Sequence, residues 1–255
     1  MSWALPTADD ELLRLAKGYP YGAIGGSYLF RNDGLSALGA CGDGLEQTLF
    51  EDRVPVIAHG SNRAPEQLQR KFADLPAAET QIPVTRAWLA DHDVVYSAHV
   101  TQYGSIAANL RSAPGTRVEI YITWLNPTQL SLMHATELGG ENYAYGCLRD
   151  IDLAVEDGPQ AQLDRAFVYL SRRGCLAEAA QPIGLAAVPA QGRPYDALHQ
   201  EEVLGLVRDR HRPGRVLEDH ILETIRDLPG RKALVEEMRR DSLPDLATHF
   251  ETLLT

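Results

Sequence analysis

The chain has 255 residues, 44% hydrophobic and 23% charged, ample for one continuous core that needs no disulfide or structural metal to fold. Lys and Arg number 24 against 35 Asp and Glu, a formal charge of −11. Such a surface repels phosphate backbones and anionic lipid, which excludes general nucleic-acid and membrane-surface binding. The three cysteines, Cys41, Cys147 and Cys175, lie far apart with no CxxC pair, so neither a disulfide framework nor a zinc site is expected. The start lacks a basic leader, and Asp9-Asp10-Glu11 interrupts any apolar signal core, so a cytoplasmic protein is expected.

In chain order, Glu11–Lys17 reads as a short helix ended by Gly18-Tyr-Pro-Tyr-Gly22. Ala23–Phe30 reads as a strand, and glycine-rich Arg31–Gly44 as loop. Val54–His59 is a short apolar strand with an early Pro. Gly60-Ser61-Asn62-Arg63 then turns the chain, and Pro65 opens a helix carrying Leu68 and Phe72. Four strands are expected at Val84–Leu89, Asp93–Val100, Ser105–Leu110 and Arg117–Trp124. They follow one another without intervening helices, the mark of an antiparallel curled sheet or barrel.

Asn126-Pro127 supplies an N-cap and a first helical position, predicting a helix from Pro127 to about Thr136. Leu130, Met133 and Glu137 share one face, so a carboxylate continues an apolar stripe at the helix C-terminus. There the helix dipole and burial are both expected to raise its pKa. Tyr143–Arg149 and Phe167–Ser171 read as strands, and Pro182–Arg193 as loop. Helices are expected at about 197–211, 216–228 and 231–241. The stripe Leu217, Ile221, Ile225, Leu228 needs a partner: the barrel wall, the N-terminal segment, or a second copy of the chain in a homodimer.

Two features suggest chemistry. A strand running into His59-Gly60-Ser61-Asn62 and then a helix leaves backbone N–H groups suited to an anionic oxygen, although a plain tight turn would look the same. Glu137 has the placement of a general base or acid, although a helix-end Glu is also often simply paired. His134 and Glu137 have the spacing of two metal ligands, but no third ligand follows, and no metal site is assigned.

Taken together, the motifs resemble the gamma-glutamylcyclotransferase-like superfamily. Val54-Pro-Val-Ile-Ala-His-Gly-Ser-Asn62 is similar to its signature strand and "YGSN" loop, with His59 in place of Tyr. Arg86–Ser97, Tyr103–Leu110 and Pro114–Leu125 resemble its next strands, in order. Leu130-Ser-Leu-Met-His-Ala-Thr-Glu137 resembles "L-x-x-L-D-x-x-E", with Met133-His134 for "L-D" and Leu138 where Gly is usual. Tyr143 resembles the Tyr that follows that Glu.

The resemblance spans roughly 54–210. It implies a mixed α/β fold, a small closed, mostly antiparallel β-barrel with flanking helices, which the helical extensions expected at 1–53 and 211–255 exceed. It also implies an enzyme of lyase or acyl-transferase type, with Glu137 catalytic and His59, Gly60, Ser61, Asn62 and Tyr143 binding a gamma-glutamyl amide. The α-amine would attack the gamma-amide, releasing 5-oxoproline and an amine or amino acid, an intramolecular reaction that needs no cofactor or metal. The alternatives are an amidase or amide-forming transferase at the same site, a non-catalytic binder of amino-acid amides, and an interaction protein whose helical tail meets a partner.

Overall fold

The computed structural model describes residues 4–38, 48–140, 142–244 and 248–255. Cys41 and the 39–44 part of the expected 31–44 loop lie outside them. Two very long strands dominate: β4 (Ile82–Val100) and β5 (Ile106–Leu125), antiparallel to each other. They form a closed barrel with β3 (Val54–Ala58), β6 (Tyr143–Val155) and β7 (Gln162–Ser171), in the cyclic order β5-β3-β7-β6-β4. All neighbours are antiparallel except β3 and β7, which run parallel with Val56 opposite Phe167. Side chains alternate across the barrel wall. Ile57, Leu89, Ile120, Leu148 and Val168, one from each strand, belong to one buried cluster. Val56 and Ala58 join a second cluster with Leu68, Phe72 and Met133 from the flanking helices α2 (Pro65–Phe72) and α3 (Pro127–Glu137).

The four strands expected between 84 and 124 are these two, bent rather than broken. At the presumed first turn, Asp91 takes φ 57°, and the register jumps from Ala90 opposite Arg117 to His92 opposite Ser112. The bulge is tied by the Gly115 N–H donating to Asp91 Oδ1 at 2.8 Å, so turn-like residues mark a bulge.

Both extensions add to the barrel. α1 (Asp9–Lys17) leads to a hairpin, β1 (Tyr28–Arg31) and β2 (Gly34–Ala37), whose first strand pairs with β4; part of the expected 31–44 loop is thus strand. Between β7 and the C-terminal helices, Ala177–Leu198 holds five two-residue strands: β8 (Ala177–Glu178), β9 (Gln181–Pro182), β10 (Gly184–Leu185), β11 (Ala190–Gln191) and β12 (Ala197–Leu198). The C-terminal helices are α4 (Gln200–His211), α5 (Leu217–Arg226) and α6 (Leu228–Arg240), and β13 (Phe250–Leu254) pairs with β6. No helix among the described residues is long and apolar enough to cross a membrane.

The stripe on α5 packs on the barrel. Gly104 turns β4 into β5 at φ +84°, so close to α5 that a Cβ there would lie 2.9 Å from Ile225 Cγ1. Leu228 was expected to continue the stripe, but α5 ends at Arg226, and Leu228 begins α6 half exposed. Pro229 is accommodated within the first turn of α6 rather than separating two helices. The two extensions also meet: Lys17 bonds Glu201 (2.8 Å) and Glu218 (2.6 Å), and Arg226 pairs with Asp9.

Candidate active site

α3 starts where the sequence signals it. Asn126 Oδ1 accepts from the Gln129 N–H at 2.9 Å, and Gln129 Oε1 accepts from the Asn126 N–H at 3.2 Å, a complete capping box ahead of Pro127. Met133 is buried, and the stripe it shares with Leu130 carries Glu137 to the barrel end where β3 delivers His59 and Gly60. After Gly60 a 3-10 turn over Ser61–Arg63 is closed by N–H groups of Arg63 (on Gly60 O, 3.4 Å) and Ala64 (on Ser61 O, 2.9 Å). Neither bond uses the amide N–H of Ser61 or Asn62. The Asn62 side chain reaches across and donates from Nδ2 to Glu137 Oε1 at 2.9 Å.

Glu137 has a second partner that the sequence reading did not foresee. Lys71, on the last turn of α2, donates from Nζ to the same Oε1 and to Thr136 Oγ1 at 3.0 Å. The side chains of Lys71 and Glu137 are only 9% and 14% exposed, so the pair is shielded from solvent. This corrects the expected pKa. Burial does push Glu137 up, but the Lys71 ammonium and the Asn62 amide outweigh it and hold the carboxyl below its usual value.

Tyrosines and two histidines lie near the carboxylate. Tyr19 packs on the loop, and its hydroxyl accepts the Ala108 N–H at 2.9 Å, while the His59 ring bonds the backbone of the same residue. Ser61 and Thr101 hydrogen-bond the Tyr103 hydroxyl, whose pKa burial pushes up to about 12. The Tyr143 ring meets His99 edge-on at 6.0 Å, and burial raises its hydroxyl well above the usual range. His59 and His99 are both buried, each with an Nδ1 that has no hydrogen-bond partner, and desolvation lowers both to about 4. At neutral pH the cluster is therefore a carboxylate and an ammonium among neutral imidazoles and hydroxyls.

The structure thus gathers His59, Gly60, Ser61, Asn62, Glu137 and Tyr143 at one end of the barrel, and adds Lys71, Tyr19, Tyr103 and His99. His134, the other half of the metal-like spacing, bonds Tyr169 through Nδ1 at 2.7 Å instead. Arg173 donates to Glu236 Oε1 at 3.0 Å. Cys147 is a free thiol in the interior, and Cys175 is fully buried. A groove of about 610 Å³ lined by Trp124, Cys147, Arg149 and Phe167 shares no residue with the Glu137 cluster.

A closed five-stranded mixed barrel, with a glycine-containing loop joined to a helix-end glutamate across its mouth, defines the class of fold. No protein-family model and no curated protein matches the chain. Among solved structures it is similar to a gamma-glutamyl cyclotransferase, at 13% identity over 77% of this chain and 91% of that one, with a TM-score of 0.36. It is also similar to an uncharacterized protein from Homo sapiens (14% identity, 76% and 90% coverage, TM-score 0.38). A third likeness is to At5g39720.1 from Arabidopsis thaliana (14% identity, 48% and 70% coverage, TM-score 0.34).

Proposed function

We propose that the protein is a gamma-glutamylcyclotransferase-type enzyme that cleaves a gamma-glutamyl amide by attack of its own α-amine. The observation that carries this reading is the 2.9 Å bond between Asn62 and Glu137, which joins the two motifs of the sequence resemblance in one site. Glu137 takes a proton from the α-ammonium. The freed amine attacks the gamma-carbonyl carbon, and the amide N–H groups of the Ser61–Asn62 turn meet the developing oxyanion. Glu137 then returns its proton to the leaving nitrogen, and the second proton that the ring nitrogen sheds on becoming a lactam ends on the released amine, giving 5-oxoproline and an ammonium product with no net proton change. Because both partners belong to one molecule, attack proceeds at a high effective molarity without a cofactor.

Tyr143, Tyr103 and His59 line the substrate in this reading. The buried free thiol of Cys147 suits a reducing compartment such as the cytoplasm. The test is to incubate purified protein with a panel of gamma-glutamyl amides and measure 5-oxoproline. Glutamate appearing in its place would identify an amidase on the same residues, exchanged gamma-glutamyl amides a transferase, and binding without turnover a non-catalytic relative.

A further inference from the structure

Glu137 sits at the C-terminus of α3, where the helix dipole opposes a negative charge, and it is largely shut off from water. Left alone there, a carboxyl group would take up a proton. One cation touches it among the described residues: Lys71. The Lys71 ammonium has three N–H donors, and its three contacts all lie on α3: Glu137 Oε1, Thr136 Oγ1 at 3.0 Å and Met133 Sδ at 3.5 Å. Thr136 is itself fixed by donating to Met133 O at 2.9 Å, so the ammonium enters a formed cradle. The Lys71 and Asn62 bonds both end on Oε1; neither uses Oε2.

We propose that Lys71 is a positioning residue, which with Asn62 grips Glu137 by Oε1 and leaves Oε2 as the oxygen that exchanges a proton with substrate. This rests on the reading of Glu137 as the base and extends it to a residue outside both motifs. The other titratable groups facing Glu137 cannot replace Lys71. His59 on the loop side and His99 on β4 are neutral near pH 7. Tyr19, Tyr103, Tyr143 and Tyr169 all have raised pKa values and stay un-ionised, so they supply no positive charge. Removing the Lys71 charge should let burial and the dipole prevail, leaving Glu137 protonated at a pH where it now accepts protons. A purely structural clasp between α2 and α3 would predict lower stability with no change in the titration of Glu137.

The experiment follows the Glu137 carboxyl carbon by NMR against pH in the wild type and in K71M, K71Q and K71R, with E137Q to assign the signal. Wild type should titrate below the ordinary Glu value. K71M and K71Q should titrate at least about one pH unit higher, and K71R should return most of the way. The acid limb of kcat/KM for 5-oxoproline release should move upward by the same amount. An unmoved carboxyl midpoint in K71M and K71Q overturns the proposal whatever the activity, as does a moved midpoint with an unmoved acid limb. If the wild type releases no 5-oxoproline while the midpoint still moves, the enzymatic reading falls and the hold of Lys71 on Glu137 stands. Two lysine variants are included so that one folding failure does not remove the titration.

Discussion

Tyr19 lies over Gly60 so closely that a Cβ on residue 60 would be 2.5 Å from the tyrosine hydroxyl. The N-terminal segment thereby contacts the glycine loop directly, and only a residue without a side chain leaves it room. Gly60→Ala should destabilise the protein by roughly 1–3 kcal/mol in urea unfolding, the ordinary cost of overpacking. Because the clash is with the hydroxyl, adding Tyr19→Phe should recover part of that loss. Strictly additive losses would show that the two positions do not touch.

Glu137→Gln keeps the shape of the side chain and removes its basicity. Turnover of any gamma-glutamyl amide found to be a substrate should fall by at least about two orders of magnitude, with an unchanged circular dichroism spectrum. Near-normal turnover would remove Glu137 from the chemistry. His59→Tyr, by contrast, should alter the preference among amides while keeping measurable turnover.

The buried histidines give an acid dependence of fixed sign. His59 and His99 ionise near pH 4 in the fold against about 6.5 in the unfolded chain, so between those values the unfolded chain binds more protons. Stability should therefore be intact above pH 6.5 and decline as the pH falls toward 4. Each histidine accounts for up to roughly 3 kcal/mol of that decline. Replacing His99 with Gln should flatten the fall in melting temperature across this window; an equally steep fall would show that His99 is not the group responsible.

Asp93 is fully buried on β4, with Arg193 donating to both carboxylate oxygens at 2.6 and 2.8 Å. Asp93→Ala strands the arginine and should cost about 3–5 kcal/mol in chemical unfolding. The double change with Arg193→Met should cost clearly less, since no unpaired charge is left. Equal losses in the two variants would mean that the pair contributes mainly by packing.

Local signals were legible wherever they matched one physical cause. Asn126-Pro127 caps a helix because a side-chain oxygen and a missing N–H suit its first turn, and the stripe through Met133 carries Glu137 inward. Asp91-His92 looked like a turn because Asp tolerates positive φ, a freedom that a bulge uses equally well. Lys71 gave no signal: a lysine beside Phe72 on an amphipathic helix reads as solvent-facing, and only the closed barrel brings α2 against the end of α3. Tyr19 stands in the Gly18–Gly22 break, but its contact with Gly60 depends on where α1 docks. Leu12, Leu15, Ala16, Tyr19 and Tyr21 are all buried, so removing residues 1–22 would open the core as well as uncover the glycine loop.

The one parallel seam of the barrel sets an order of events. Val56 pairs with Phe167, so β3 waits for a strand more than a hundred residues later in the chain before its second edge is covered. As the chain leaves the ribosome, β3, β4 and β5 can associate early through neighbouring segments, leaving the β3 edge open until β7 has been made. Non-local closure of this kind slows folding and leaves an apolar strand exposed meanwhile. The loop bearing Asn62 directly follows that edge, so the site should become rigid only when the ring closes, and a nascent chain ending before β7 should be prone to aggregate.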